Sequence, residues 1–121
     1  MLLEIPVIYA QKPLKNTEKY YTYVFVRTDI PVSQQIVQSN HAALEAGIFL
    51  GNQEQSEPSS LISIAVKNKY QLEKAINYLK SQNVELIEFH EPSWDYGLTA
   101  FATEPIHIDS KHIFKRYQLW K

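Results

Sequence analysis

The chain has no cysteine. Disulfides, thiolate nucleophiles and cysteine-based zinc sites are excluded with it. Glycine is scarce, with 3 residues in 121. That leaves little to build a phosphate-cradling loop, and neither G-x-G-x-x-G nor a P-loop is present. A basic excess is also missing: 12 Lys and Arg stand against 13 Asp and Glu, for a formal net charge of −1. Proteins that grip nucleic acid by counterion release usually carry a positive excess. Such a contact would here need a local patch, and two clusters offer one: Lys12, Lys15 and Lys19, and Lys111, Lys115, Arg116 and Lys121. No apolar run approaches the ~18 residues that span a bilayer. The opening Met-Leu-Leu-Glu-Ile-Pro-Val carries an acid and no basic flank, unlike a signal peptide. No membrane partner is expected, and the cytoplasm is the expected location. His41, His90, His107 and His112 show no ligand spacing such as H-E-x-x-H, and no serine sits in a G-x-S-x-G elbow. No metal and no cofactor are expected.

What remains is an ordinary globular composition, 45% apolar and 21% charged over 121 residues. It suits one domain over 1–121, with a core that buries roughly two-thirds of the unfolded chain's surface. Residues 1–10 alternate loosely, as an edge strand or an arm would, and 11–19 read as a polar loop. Residues 20–27 are rich in Tyr and Val and read as a strand. Residues 33–49 read as a helix that Ser33 can cap. Ile36, Val37, Asn40, Ala43, Leu44, Gly47 and Ile48 follow the helical period and are expected to form its buried stripe. Gln34, Gln38, His41 and Glu45 form a polar column at the border of that stripe.

Leu61–Val66 suits a strand covered on both faces. Asn68 caps a second helix, with Gln71 at the capping-box position. In that helix Leu72, Ala75, Ile76 and Leu79 fall at i, i+3, i+4 and i+7, which predicts burial. Val84–Phe89 and Leu98–Thr103 complete the strands, and 109–117 could add a turn or two of helix. Strands alternating with helices imply right-handed crossovers. Residues 90–97 are too few for a crossover, so the last strand runs antiparallel to its predecessor. The expected fold is therefore a single-domain α/β three-layer sandwich: a four-stranded mixed sheet, its last strand antiparallel, with helices on both faces.

His41 is the leading candidate for chemistry. An imidazole on a helix flank beside Gln38 and Glu45 can move a proton near neutral pH or hold an ester or phosphate oxygen. It can also be a helix histidine bonded to its neighbours. Phe89-His90-Glu91-Pro92-Ser93-Trp94-Asp95 leaves a strand at its C-terminal end, where α/β sheets place ligands. Glu91 and Asp95 offer carboxylates there, and Trp94 a stacking face. A simple turn set by Pro92 would look the same. Thr99 fits a strand by propensity alone, and its hydroxyl could bond a substrate.

Phe25-Val26-Arg27-Thr28-Asp29-Ile30 followed by Gln38-Ser39-Asn40-His41-Ala42 resembles the opening unit of the archaeal and eukaryotic-type peptidyl-tRNA hydrolases. That family carries Val-Val-Arg-x-Asp-Leu on its first strand and Gln-x-x-His-Ala on its first helix. Leu86-Ile87 and Thr99–Pro105 parallel its closing hairpin, so the resemblance covers about residues 20–106. The chain looks like a divergent bacterial or phage branch. Val32, Ser33 and Gln34 stand where the family has a Gly-Lys-Gly-Lys-like segment, and 90–95 replace its Asp-Ala-Gly-x-Thr-Gln stretch. The resemblance implies cleavage of an acyl ester on tRNA. His41, Glu91 and Thr99 would be catalytic, and Gln34, Gln38, Trp94 and Asp95 would bind substrate. The alternative is a non-catalytic RNA- or protein-binding domain on the same fold. A homo-oligomer is compatible with the sequence but not indicated by it.

Overall fold

A computed structural model describes residues 18–52, 55 and 57–121. The expected edge strand or arm at 1–10, and the loop up to residue 17, lie outside the described residues. Strand β1 (Tyr20–Arg27) leads to helix α1 (Val32–Leu50), β2 (Ser60–Val66), α2 (Lys69–Ser81), β3 (Leu86–Glu91), β4 (Gly97–Thr103) and β5 (Ile106–His107). A 3-10 turn at Ile108–Phe114 follows. The sheet order is β2-β1-β4-β3, with β1 and β2 parallel and β4 antiparallel to both its neighbours. The short β5 pairs with Tyr20 and Tyr21 of β1. The mixed sheet and the antiparallel last long strand are as the spacing predicts.

The two helices lie on opposite faces. Tyr23, Phe25, Leu72, Ala75, Ile76, Leu79, Phe101 and Phe114 share the core on the α2 face. There Phe25 stacks on Phe101 at 4.4 Å and Tyr23 on Phe114 at 3.8 Å between ring centroids. Val24, Val26, Ala42, Ala46, Ala100 and Ala102 form the other core, under α1. Alternation along β1 sends successive side chains to the two layers. Asn68 Oδ1 accepts from the Gln71 amide at 2.9 Å and so caps α2. Leu72, Ala75, Ile76 and Leu79 are buried. Leu79→Ala is expected to cost ~2–5 kcal/mol in a urea melt. A change below ~0.5 kcal/mol would contradict this packing.

Three expectations are corrected. Of the stripe Ile36, Val37, Asn40, Ala43, Leu44, Gly47 and Ile48, Ala43 is half-buried and packs against the core under α1 and the other six are exposed; α1 buries Gln35, Gln38, Ala42 and Ala46 instead. The sheet offers Ala100 and Ala102 at that place. Alanine against alanine lets helix and sheet approach closely, and the larger stripe residues would hold them apart. Ser33 does not cap α1: Pro31 is its N-cap residue and no side chain bonds there. Nor is Leu61–Val66 covered on both faces. It is an outer strand of the sheet, and Leu61 is 64% exposed. Its free edge is instead met by the C-terminal tail, where Ala65 N donates to Gln118 O at 3.0 Å and Trp120 N to Ser63 O at 2.9 Å.

Candidate functional site

β1 and β3 end, and β4 begins, at the sheet end where α1 also starts. The polar column of α1 runs down from that end. In β4 the register shifts: Phe89 pairs with Ala100 and His90 with Leu98, so Thr99 is the bulged residue. The Thr99 hydroxyl is fully buried, donates to Gln38 Oε1 at 2.7 Å and lies 3.3 Å from the Phe89 carbonyl. Gln38, also buried, donates through Nε2 to Gln34 Oε1 at 3.3 Å. Gln34 is half-buried. A relay thus runs from the interior of β4 to the surface of α1, and among the described residues every buried side-chain polar atom is satisfied. Thr99 meets no solvent and acts on its surroundings through Gln38.

His41 is exposed, one turn further along. Its ring lies flat on Phe89, 4.8 Å between centroids and 2° between planes. That contact fixes the plane of the imidazole and leaves its edge free. Glu91 is half-buried at the end of β3, two residues beyond Phe89 and opposite Gly97. No ion pair or hydrogen bond joins His41 to Glu91 or Glu45 among the described residues. His90 turns to the other face, where its Nε2 lies 3.0 Å from Glu88 Oε1. Trp94 and Asp95 form the turn between β3 and β4 and are both exposed. Both hold a left-handed backbone at φ 57°. Non-glycine residues pay about 1–3 kcal/mol each for such a conformation. The Trp94 ring is 66% exposed and tilts over Tyr96 at 5.6 Å. Gly97, at φ 62°, suits a position that few side chains adopt.

Arg27 organises this end, a role its place in the sequence did not disclose. Its Nε and Nη2 donate to both Asp29 oxygens, at 2.6 and 2.8 Å. Its Nη1 donates to the Tyr96 carbonyl at 2.8 Å and lies 3.3 Å from that of Leu98. One guanidinium thereby ties the β1–α1 corner to the Trp94 turn. The two charge-assisted bonds hold the Asp29 carboxyl below the usual carboxylate range and raise Arg27. A depressed carboxylate contributes stability above its unfolded value, and that stability is lost as pH falls through the folded value. Asp29 is 37% exposed, so the contribution is modest. Asp29→Asn is expected to lower the urea midpoint at neutral pH. The deficit should shrink as pH falls below about 4. A deficit that stays constant with pH would refute this assignment.

Lys67 and Lys69, both exposed, stand after β2 at the same end of the sheet. Lys69 Nζ would lie 3.6 Å from a Cβ added at Gly97. Only their position after a strand end could have flagged them. The C-terminal cations lie elsewhere. Lys111 sits over the Tyr21 ring at 4.4 Å and Arg116 over Tyr78 at 3.9 Å, both against the α2-face core. They are on the opposite side of the sheet from α1. Lys12 and Lys15 lie outside the described residues. Among the described residues no cluster of three His, Asp or Glu could hold a metal ion, and no helix is long and apolar enough to cross a membrane.

No protein-family model matches the chain, and no curated protein matches its sequence.

Proposed function

We propose that the domain is a peptidyl-tRNA hydrolase-like enzyme of the cytoplasm that cleaves an acyl ester on tRNA. The observation that carries this reading is His41, an imidazole with a free edge, held flat on Phe89 at the strand-end side of the sheet. In the reaction, water adds to the acyl carbonyl and the carbon–oxygen bond to the ribose breaks. His41 takes the proton from water and returns it to the leaving ribose oxygen. Glu91 positions the water. Thr99 orients Gln38, and Gln34 presents the exposed end of that relay to the substrate. Trp94 stacks on a terminal base, as exposed aromatics do for single-stranded ends, and Asp95 lies beside it. Lys67 and Lys69 attract the phosphates that the absent family lysines would have met.

The test is release of an N-blocked amino acid from its tRNA ester. Turnover above the spontaneous rate is expected, and its absence at micromolar enzyme would overturn the reading. A second reading, a non-catalytic RNA- or protein-binding domain, is favoured by two observations. Val32, Ser33 and Gln34 replace the lysines, and the Thr99 hydroxyl is sealed from solvent. It predicts binding without ester release.

A further inference from the structure

Gln71, Lys74, Ala75 and Tyr78 fall at i, i+3, i+4 and i+7, and so share one side of α2. The C-terminal tail runs past that side, fixed to β2 where Gln118 O accepts from Ala65 N at 3.0 Å. Between the helix, the tail and the end of β2 lies a recess of about 480 Å³. Lys67 lines it from beyond β2, Lys74 from α2 and Arg116 from the tail. Among the described residues no Asp or Glu lines it. The chain as a whole has a net charge of −1, so three positive charges around one recess are a local concentration.

None of the three is in an ion pair among the described residues. The Arg116 guanidinium lies over the Tyr78 ring, 3.9 Å from its centroid. That contact holds it at the recess, and no acceptor among the described residues takes its N–H groups. Lys74 has only the Tyr70 ring, 5.7 Å from its Nζ. The side-chain amides of Gln71 and Gln118 also line the recess, with no partner of their own among the described residues. Donors thus converge there from three segments, and the fold supplies no acceptor for them.

We infer that this recess binds the phosphate of a small phosphomonoester. Such a group carries about −1.5 to −2 charges at neutral pH and three strong acceptor oxygens. A carboxylate brings a single charge, too little to offset three cations. The Arg116 fork suits two phosphate oxygens at once, and Lys67 and Lys74 add point charges from other sides. The volume exceeds the need of a phosphate alone and falls in the range of small-molecule sites, about 300–1,000 Å³. Ala75 and Tyr117 offer the rest of the molecule an apolar wall. A nucleic-acid strand fits less well, because its diesters carry one charge each and are spread along a backbone. Lys74 and Arg116 have no part in the hydrolase reading, and Lys67, which borders both regions, is left unaltered in the test.

Isothermal titration of the full chain with glycerol phosphate and with adenosine monophosphate is expected to show one site for at least one of them, tighter than about 1 mM. Glycerol and adenosine should not bind. Arg116→Ala should weaken binding by about 10-fold or more, as loss of a charge-assisted fork does. Arg116→Lys keeps the charge without the fork and should recover only part. Lys74→Ala should weaken binding several-fold. Lys80→Ala, further along α2 and 3.9 Å from Glu88, should change nothing. Five results would overturn the inference: no binding of either phosphate, adenosine bound as tightly as its phosphate, binding that survives both Arg116→Ala and Lys74→Ala, an equal loss with Lys80→Ala, or tighter binding at this recess of a single-stranded RNA without a terminal phosphate. Both altered side chains are exposed, so circular dichroism should remain that of the folded protein. Should Arg116→Ala fail to fold, Lys74→Ala and the parent chain decide the matter.

Discussion

Replacing Phe101 by Ala is expected to lower the unfolding free energy by about 3–5 kcal/mol. Phe101 is fully buried in the middle of β4, paired with Phe25 of β1 in register and stacked on it. The Phe25 ring is in turn 4.8 Å from Tyr117, edge on. Truncation removes the ring from the α2-face core and takes the stacking partner from Phe25. The walls cannot collapse freely, because both rings rise from adjacent paired strands whose spacing the backbone ladder fixes. A domain of this size has ~5–15 kcal/mol of stability in all, so the variant should melt far below the parent in urea. Phe101→Leu, which keeps much of the volume, should recover a large part of the loss. A loss under ~1 kcal/mol for the alanine variant would mean that the two strands are not packed as described.

His41→Ala is expected to lower kcat on an acyl-tRNA ester by roughly 10²–10⁴-fold, the share a positioned acid/base supplies. Its effect on stability should be small. The His41 ring is exposed and its one aromatic contact, with Phe89, lies at the border of the α1-face core. The split between the two readouts is the test: rate falls and the melt stays. Gln38→Ala should lower the melt as well as the rate. It takes from the buried Thr99 hydroxyl its short bond, leaving only the longer one to the Phe89 carbonyl, and loss of a buried hydrogen bond costs about 0.5–1.5 kcal/mol. If His41→Ala leaves ester release unchanged, the catalytic assignment fails and the binding-domain reading stands.

Much of the frame was legible in the chain. The i, i+3, i+4, i+7 pattern of Leu72, Ala75, Ile76 and Leu79 marks both the existence of α2 and its buried side. Asn68 marks its start. Such signals are local: a helix with one large apolar stripe, capped by a short polar residue, has the same preference in most surroundings. The eight-residue gap from His90 to Gly97 required β4 to turn back on β3, because a parallel return needs a longer crossover. The polar column of α1 is also found at a border between exposed and buried sides, as its spacing predicts.

Its burial is on the other side of that column, and here local pattern could not decide. Periodicity reports which residues share a face, not which face meets the sheet. In α2 the two coincide, since the stripe of large residues meets a sheet face lined with aromatic rings. In α1 they do not, because the sheet presents Ala100 and Ala102 and takes the small Ala42 and Ala46 at close range, with Ala43 and Leu50 packed at the margin. Gln35 shows the same principle. It is buried because the Thr28 and Ile30 carbonyls and the Trp120 indole, 85 residues away, satisfy its amide. A buried amide is tolerable only when such partners arrive; two come from the adjoining corner, and the third, Trp120, only when the C-terminal tail docks. The sequence by itself determined the elements, their order and the antiparallel return of β4, because propensity, capping and loop length act over a few residues. Only the tertiary structure decided which side of α1 is buried, that Thr99 is sealed beneath Gln38, and that Arg27 ties the β1–α1 corner to the Trp94 turn. Each of those depends on the shape and hydrogen-bonding needs of a surface that forms only when the strands have paired.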